Sequence, residues 1–218
     1  MNKTILEVSN VTKKVTSPEG ELTIVNDISL SLGEGVFASI LGPSGSGKTT
    51  LLAIMAGLDL PSSGSVKLLD KEITSLNEDK RAQIRSKDVG FVFQSFHLLP
   101  RLSALDNVMM PLEILGAKDA KERALKALDE VGLSKRTGHV PHQLSGGEKQ
   151  RVAIARAMVK APSILFADEP TGNLDQSSTD NILELLLGIN KQTKTTLVVV
   201  THDQQLASRS DMVFELQE

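Results

Sequence analysis

The chain contains no cysteine, no tryptophan and no tyrosine, and phenylalanine occurs six times. Without cysteine there are no disulfides and no thiolate metal sites, which fits a reducing compartment. With aromatics at 3 %, a planar base has few rings on which to stack. No apolar run approaches the roughly 18 residues of a transmembrane helix, so the sequence predicts no membrane span. A long basic block is also missing: 24 Lys and Arg stand against 27 Asp and Glu, a net charge of −3. That balance gives non-specific nucleic-acid binding little support and predicts no nucleic-acid partner. Met1-Asn2-Lys3-Thr4 runs straight into a strand pattern at Ile5-Leu6-Glu7-Val8, which predicts no signal peptide. What remains, 218 residues with 40 % hydrophobic side chains, suits one large α/β domain with a modest insertion.

The most informative stretch is Gly42-Pro43-Ser44-Gly45-Ser46-Gly47-Lys48-Thr49. It has the form G-x-x-x-x-G-K-[ST], a phosphate-binding loop. Glycines let successive backbone N–H groups turn inward around an anion, and the following helix adds the positive end of its dipole. Lys48 supplies a full charge for β- and γ-phosphates, and the Thr49 hydroxyl suits Mg²⁺. The flanks agree. Val36-Phe37-Ala38-Ser39-Ile40-Leu41 reads as a buried parallel strand, and Thr50-Leu51-Leu52-Ala53-Ile54-Met55-Ala56 as a helix stopped by Gly57.

In chain order, Ser17-Pro18-Glu19-Gly20 predicts a hairpin turn, and Leu22-Thr23-Ile24-Val25 and Ile28-Ser29-Leu30-Ser31-Leu32 read as strands. Another turn precedes a strand at residues 65–69, a polar helix follows over 77–86, and Val89-Gly90-Phe91-Val92-Phe93 is a buried strand ending at Gln94. From 103 to 160 the patterns are helical. Leu105, Val108, Met109 and Leu112 share one face, with Pro111 expected to kink or end that helix. Ala124, Leu125, Leu128 and Val131 line the next, capped by Gly132. Strand patterns return at 163–167, 195–200 and 212–216, separated by a helix whose face carries Ile182, Leu185, Leu186 and Ile189. The expected organisation is an α/β core (1–94 and 161–218) interrupted by a helical subdomain (95–160).

Further chemistry lies at strand and helix ends. Ile164-Leu165-Phe166-Ala167-Asp168-Glu169 is an apolar strand ending in two carboxylates, at the place where ligands sit in doubly wound sheets. Asp168 suits support of Mg²⁺ and Glu169 polarisation of a water. Gln94 could ligate Mg²⁺ or hold that water; alone, a glutamine there reads more readily as a solvated loop residue. Likewise His202, just beyond the 195–200 strand, could reach a γ-phosphate or merely cap a strand. Leu144-Ser145-Gly146-Gly147-Glu148 opens a helix and offers a second anion site. One nucleotide would use both sites only if the insertion folded back or a second copy supplied one. Ser95-Phe96-His97-Leu98-Leu99-Pro100 reads as an exposed apolar loop, a docking surface or ordinary loop packing.

Taken together these stretches resemble, in order and over the whole length, the ATP-binding-cassette (ABC) ATPases. Walker A corresponds to Gly42 through Thr49, the Q-loop to Gln94, and the signature to Leu144-Ser145-Gly146-Gly147-Glu148-Lys149-Gln150-Arg151. Walker B corresponds to Ile164 through Asp168 with Glu169, the D-loop to Asn173-Leu174-Asp175, and the switch histidine to His202. The run Phe166-Ala167-Asp168-Glu169-Pro170-Thr171-Gly172-Asn173-Leu174-Asp175 is similar to the lipoprotein-release and macrolide-exporter group, LolD, MacB and FtsE. The runs at 89–96 and Ser134-Lys135-Arg136 are similar to its YbbA-like member.

The resemblance implies a P-loop ATPase fold with an antiparallel β-subdomain and an inserted helical subdomain, hydrolysing ATP with Mg²⁺. It implies catalytic Glu169, His202, Lys48 and Gln94, metal contacts from Thr49, Gln94 and Asp168, and nucleotide contacts from Gly42 through Thr49, Thr50 and Val15. It also implies a homodimer on ATP binding, in which Ser145, Gly146, Gly147 and Asp175 act in trans. The expected partner is an integral-membrane permease of the FtsX or MacB type, with this chain cytoplasmic and peripheral on the inner face of the bacterial membrane. The other reading is an ATP-binding regulatory module of a cell-envelope or cell-division complex. The family usually stacks an aromatic on adenine; here the matching position is Val15.

Overall fold

The computed structural model describes residues 3–18 and 20–216. Met1 and Asn2, where the sequence predicts no leader, and Glu19 of the hairpin turn lie outside the described residues. In chain order the elements are β1 (Thr4–Ser17), β2 (Gly20–Gly33), β3 (Phe37–Leu41), α1 (Lys48–Met55), β4 (Ser63–Leu68), β5 (Lys71–Glu72), α2 (Glu78–Asp88) and β6 (Val89–Val92). There follow α3 (Ala104–Ile114), α4 (Ala120–Glu130), α5 (Gly146–Met158), β7 (Ile164–Asp168), α6 (Gln176–Thr193), β8 (Thr196–Val200), α7 (Gln204–Ala207) and β9 (Met212–Glu215). The contacts divide the chain into two compact units, one of residues 1–85 and 196–218, the other of residues 86–195.

The first unit contains an antiparallel sheet in the order β2-β1-β4-β5 and a parallel array in which β3 lies between β8 and β9. The two stretches expected on either side of Asn26-Asp27 are one 14-residue strand. Irregularities between Val8 and Val11 and between Val11 and Lys13 absorb the extra residues, and Asp27 takes φ 50° in mid-strand. A β-bulge keeps the two stretches in one strand. β3 and β8 are buried almost throughout, as parallel strands covered on both faces are. Leu51, Leu52, Ile54 and Met55 bury α1 and fix the helix that follows the phosphate loop.

The second unit combines the parallel pair β6–β7 with α3 to α6. Its apolar core gathers Val108 and Leu112 of α3, Ala124 and Leu128 of α4, and Val152 and Ala155 of α5. Ser103 caps α3 through a reciprocal box with Asp106, a strong start signal. Pro111 does not end this helix, which runs on to Ile114. Leu112, 1 % exposed, carries the last turn into the core, and that burial outweighs the one backbone bond a proline cannot donate. In α4, Ala120, Ala124, Ala127 and Leu128 face inward while Leu125 faces solvent. Small residues let the helix approach closely, so the apolar stripe is rotated from the one expected. Among the described residues no helix is long and apolar enough to cross a membrane.

Candidate functional site

The phosphate loop lies between β3 and α1 in the first unit. Gly47 is its tightest point: φ is 82°, and a Cβ there would stand 2.3 Å from the Ile24 carbonyl oxygen. β2 therefore presses on the loop from behind, and no side chain fits. Lys48 is buried, and its Nζ donates to the carbonyls of Gly42 (2.8 Å) and Pro43 (2.6 Å). Among the described residues no carboxylate is paired with it. Ser46 Oγ is buried without a hydrogen-bond partner among the described residues. A buried cation met only by carbonyl dipoles and an unsatisfied hydroxyl in one concavity are what an incoming phosphate would satisfy.

Beside the loop opens a cleft of about 760 Å³, walled by Thr23, Ile24, Val25 and Asn26 of β2, by Ser44, Gly45 and Ser46, and by Leu216. No aromatic ring lines it. Val15 pairs with Leu22 farther along the hairpin and is not among its walls. At the rim, the parallel register sets Ile40 opposite Val200, so two residues on, Gly42 and His202 leave their strands at the same level. Thr201 donates its N–H to Ile40 O (3.2 Å) and Asp203 caps α7 through Gln205 N (2.8 Å), so the exposed His202 sits on a fixed corner.

In the second unit, register again does the positioning. Val92 lies opposite Ala167, which brings Gln94 level with Glu169 two residues beyond the ladder. Glu169 has φ 43°, the left-handed region, which an ordinary residue adopts only when its surroundings impose it. Its carbonyl accepts from Gly172 N (3.1 Å). A Cβ on Gly172 would lie 2.8 Å from Gln94 Nε2 and 3.3 Å from Glu169 Oε2, so the bare glycine is the floor over which the two side chains meet. Asn173 Nδ2 donates to Gln94 O (3.1 Å) and steadies the glutamine's backbone. Asp168 ends β7 half-buried.

Ser145 caps α5 by a capping box. Its Oγ accepts from Glu148 N (3.2 Å), and Glu148 Oε2 accepts from Ser145 N (2.8 Å). That backbone N–H, and then the Arg136 guanidinium (2.9 Å), hold the Glu148 carboxyl below the usual carboxylate range. Gly146 and Gly147 pack on the turn that opens α6: added Cβ atoms would meet Leu174 Cδ2 at 3.2 Å and Ser178 Oγ at 2.9 Å. Asp175 caps α6, accepting from Ser178 N (3.0 Å) and Ser178 Oγ (2.8 Å), and those bonds lower its carboxyl as well.

Thr49 in the first unit, and Gln94 and Asp168 in the second, each carry a hard oxygen of the kind Mg²⁺ prefers. Among the described residues no three His, Asp or Glu side chains cluster to hold a metal unaided.

A family model described as "ABC transporter" matches residues 25–172. The chain belongs to the ABC transporter family. Over 100 % of its length it is 46 % identical to the lipoprotein-releasing system ATP-binding protein LolD of Legionella pneumophila (strain Paris), covering 97 % of that protein. It is 50 % identical to the ABC transporter ATP-binding protein YbbA of Escherichia coli (strain K12), over 97 % of this chain and 94 % of that one. Against the macrolide export ATP-binding/permease protein MacB of Chlorobaculum tepidum it is 44 % identical over 98 % of its length, but spans 33 % of that longer protein. Among solved structures, the dimeric post-hydrolysis state of the ATP-binding cassette MJ0796 bound to ADP and Pi matches with TM-score 0.90 at 39 % identity, covering 98 % of this chain and 94 % of that one. This ABC chain is thus an ATP-binding subunit with the P-loop cassette fold, an ATPase that binds ATP and Mg²⁺.

Two residues of the second unit stand in the quoted motifs without a role that the sequence alone shows. Gly172 reads as a turn glycine, and nothing local shows that two side chains cross it. Gln150 reads as one polar position of α5, yet it is fully buried and its Nε2 donates to Pro170 O at 2.7 Å. A buried glutamine on a helix is a usable signal, but its partner lies 20 residues on.

Proposed function

We propose that this chain is the ATP-hydrolysing subunit of a membrane complex, working as a homodimer that closes on ATP. The observation that carries the reading is the pair of anion-binding helix starts. Lys48 opens α1 behind the glycine loop, and Ser145 with Gly146 and Gly147 opens α5. A triphosphate held by the first and closed by the second of a twin chain employs both. The dimeric description of the MJ0796 cassette, at 39 % identity, supports it.

In this reading Lys48 and the loop N–H groups neutralise the phosphate oxygens, with Thr50 behind Thr49 at the start of α1. Thr49, Gln94 and Asp168 would hold Mg²⁺, which when bound would supply positive charge to offset that of the triphosphate. Glu169 accepts a proton as the water oxygen bonds to the γ-phosphorus, the bond to the β-phosphate oxygen breaks, and ADP and phosphate leave. His202 contacts the γ-phosphate, and Asp175 lies at the twin's site. The decisive test is assembly. The Glu169→Gln chain, 23.5 kDa per protomer, should double in mass by light scattering with ATP and Mg²⁺ and stay single with ADP. A protomer mass under both conditions contradicts the dimer.

The cleft beside the loop offers aliphatic and polar walls, Glu215 among them, and no ring among the described residues, so the roughly 0.5–1.5 kcal/mol that ring stacking adds is missing. ATP and GTP affinities should differ by less than about tenfold, since tenfold corresponds to 1.4 kcal/mol. A competition titration with a larger ATP preference would refute this.

The names of LolD and MacB point to lipoprotein release and macrolide export, and on that likeness the partner here is a permease of that type. The chain then lies peripherally on the inner face of the bacterial membrane, and the core and helical subdomain boundaries follow 1–94, 95–160 and 161–218. The regulatory-module alternative predicts no permease-stimulated turnover. For docking, the loop ahead of α3 is favoured. Phe96 there is half-buried with φ 61°, whereas Leu99 is 40 % exposed. Leu99→Asp should abolish stimulation of ATPase by the reconstituted permease and leave basal turnover within about twofold, as surface changes do. Undiminished stimulation would move the docking surface elsewhere.

A further inference from the structure

Glu169 holds a left-handed backbone conformation ahead of a proline, although the residue before proline is itself restricted. Something must impose that geometry. The Gly172 N–H on the Glu169 carbonyl supplies one side of the restraint (3.1 Å). On the other side is Pro170, which has no N–H and whose carbonyl is its only backbone polar group. That carbonyl accepts from Gln150 Nε2 at 2.7 Å, a bond between buried groups. The amide orientation follows from chemistry: a carbonyl only accepts, so the NH₂ end must face it. The other end of the amide, Oε1, is buried with no partner among the described residues. An apolar side chain of the same size would escape that cost. Gln150 is therefore a poor choice for packing and a good one for gripping Pro170.

The geometry points to Gln150 as a positioning residue for hydrolysis. From α5 it anchors the Glu169-Pro170 peptide and so aims the Glu169 carboxylate, without touching the nucleotide. It stands five residues beyond Ser145, roughly 7.5 Å along the helix. The inference rests on Glu169 being the base that polarises the water.

The test is steady-state ATPase of the full chain carrying Gln150→Met, a side chain of matching length that cannot donate. Its kcat should fall by about tenfold or more, because small misplacements of a catalytic group are costly. The KM for ATP should stay within about twofold, and the thermal midpoint should change little, because the Pro170 carbonyl loses its donor while the unpartnered oxygen is also removed. Placed on Glu169→Gln, the same change should cost less than about twofold further, since both act through one group. Gln150→Glu supplies a separate readout: only its protonated carboxyl donates, so its deficit relative to the parent should narrow as pH falls. A Gln150→Met chain that turns over within about twofold of the parent overturns the proposal. So does one that loses ATP binding or its thermal transition together with kcat, which would mark a packing role. Near-normal turnover of Glu169→Gln alone would instead refute the base assignment, whatever Gln150 does.

Discussion

Glu169→Gln should lower ATP turnover by about 10²-fold or more while ATP affinity stays within about twofold, the usual effect of removing a general base. The amide has the size and reach of the carboxylate but no basic lone pair for the water's proton. The environment tolerates it. Glu169 Oε2 lies near the bare Gly172, beside the Gln94 amide, and the left-handed backbone at 169 is set by bonds to main-chain groups that the substitution leaves alone. Lys48, Thr49 and the glycine loop belong to another segment, so binding survives. With turnover blocked, the ATP-bound dimer should persist long enough to be isolated by size. Turnover near that of the parent would mean that another group handles the water.

Gly47→Ala should weaken ATP binding by about 10²-fold, for a reason specific to this loop. At φ 82° an alanine costs about 1–2 kcal/mol over glycine. The larger obstacle is backbone: the new Cβ would stand 2.3 Å from Ile24 O, an atom of a strand paired with β1 on either side of it, Thr23 with Lys14 and Val25 with Lys13. β2 cannot retreat, so the loop must shift and its N–H groups lose their common aim. Gly45→Ala is the control. It shares the positive φ of 87° but meets nothing within 4 Å, so it bears the conformational cost alone. Its affinity should fall by less than about tenfold, since 1–2 kcal/mol is partly offset by the reduced freedom of the unfolded chain. Isothermal titration with ATP compares the two. Equal losses would show that β2 does not brace the loop.

The residues that perform chemistry were legible because their type is dictated by what they must do. A glycine loop ending in Lys48-Thr49, a strand ending in Asp168-Glu169 and a Ser145-capped helix each announce a ligand from a few adjacent positions. The strands around them were legible from burial on both faces. Departures arose where distant packing overrode a local signal. Residues 22–25 and 28–32 read as two strands, yet the β1 ladder joins them through a bulge. Pro111 reads as a kink or an end, yet Leu112 carries α3 onward to Ile114. Leu125 reads as core, yet alanines on α4 take the inward face. Gly172 and Gln150 lie in the quoted motifs, but their contacts were not legible because Gln94 and Pro170 are 78 and 20 residues away in sequence.

The central claim is that one triphosphate is held by two chains. A crystal structure of the Glu169→Gln protein with ATP and Mg²⁺ tests it most directly. It should show each triphosphate enclosed by residues 42–49 of one protomer, with Ser145 and Gly147 of its twin against the γ-phosphate. A triphosphate touching a single protomer, with α5 of every copy remote from any nucleotide, would contradict the account.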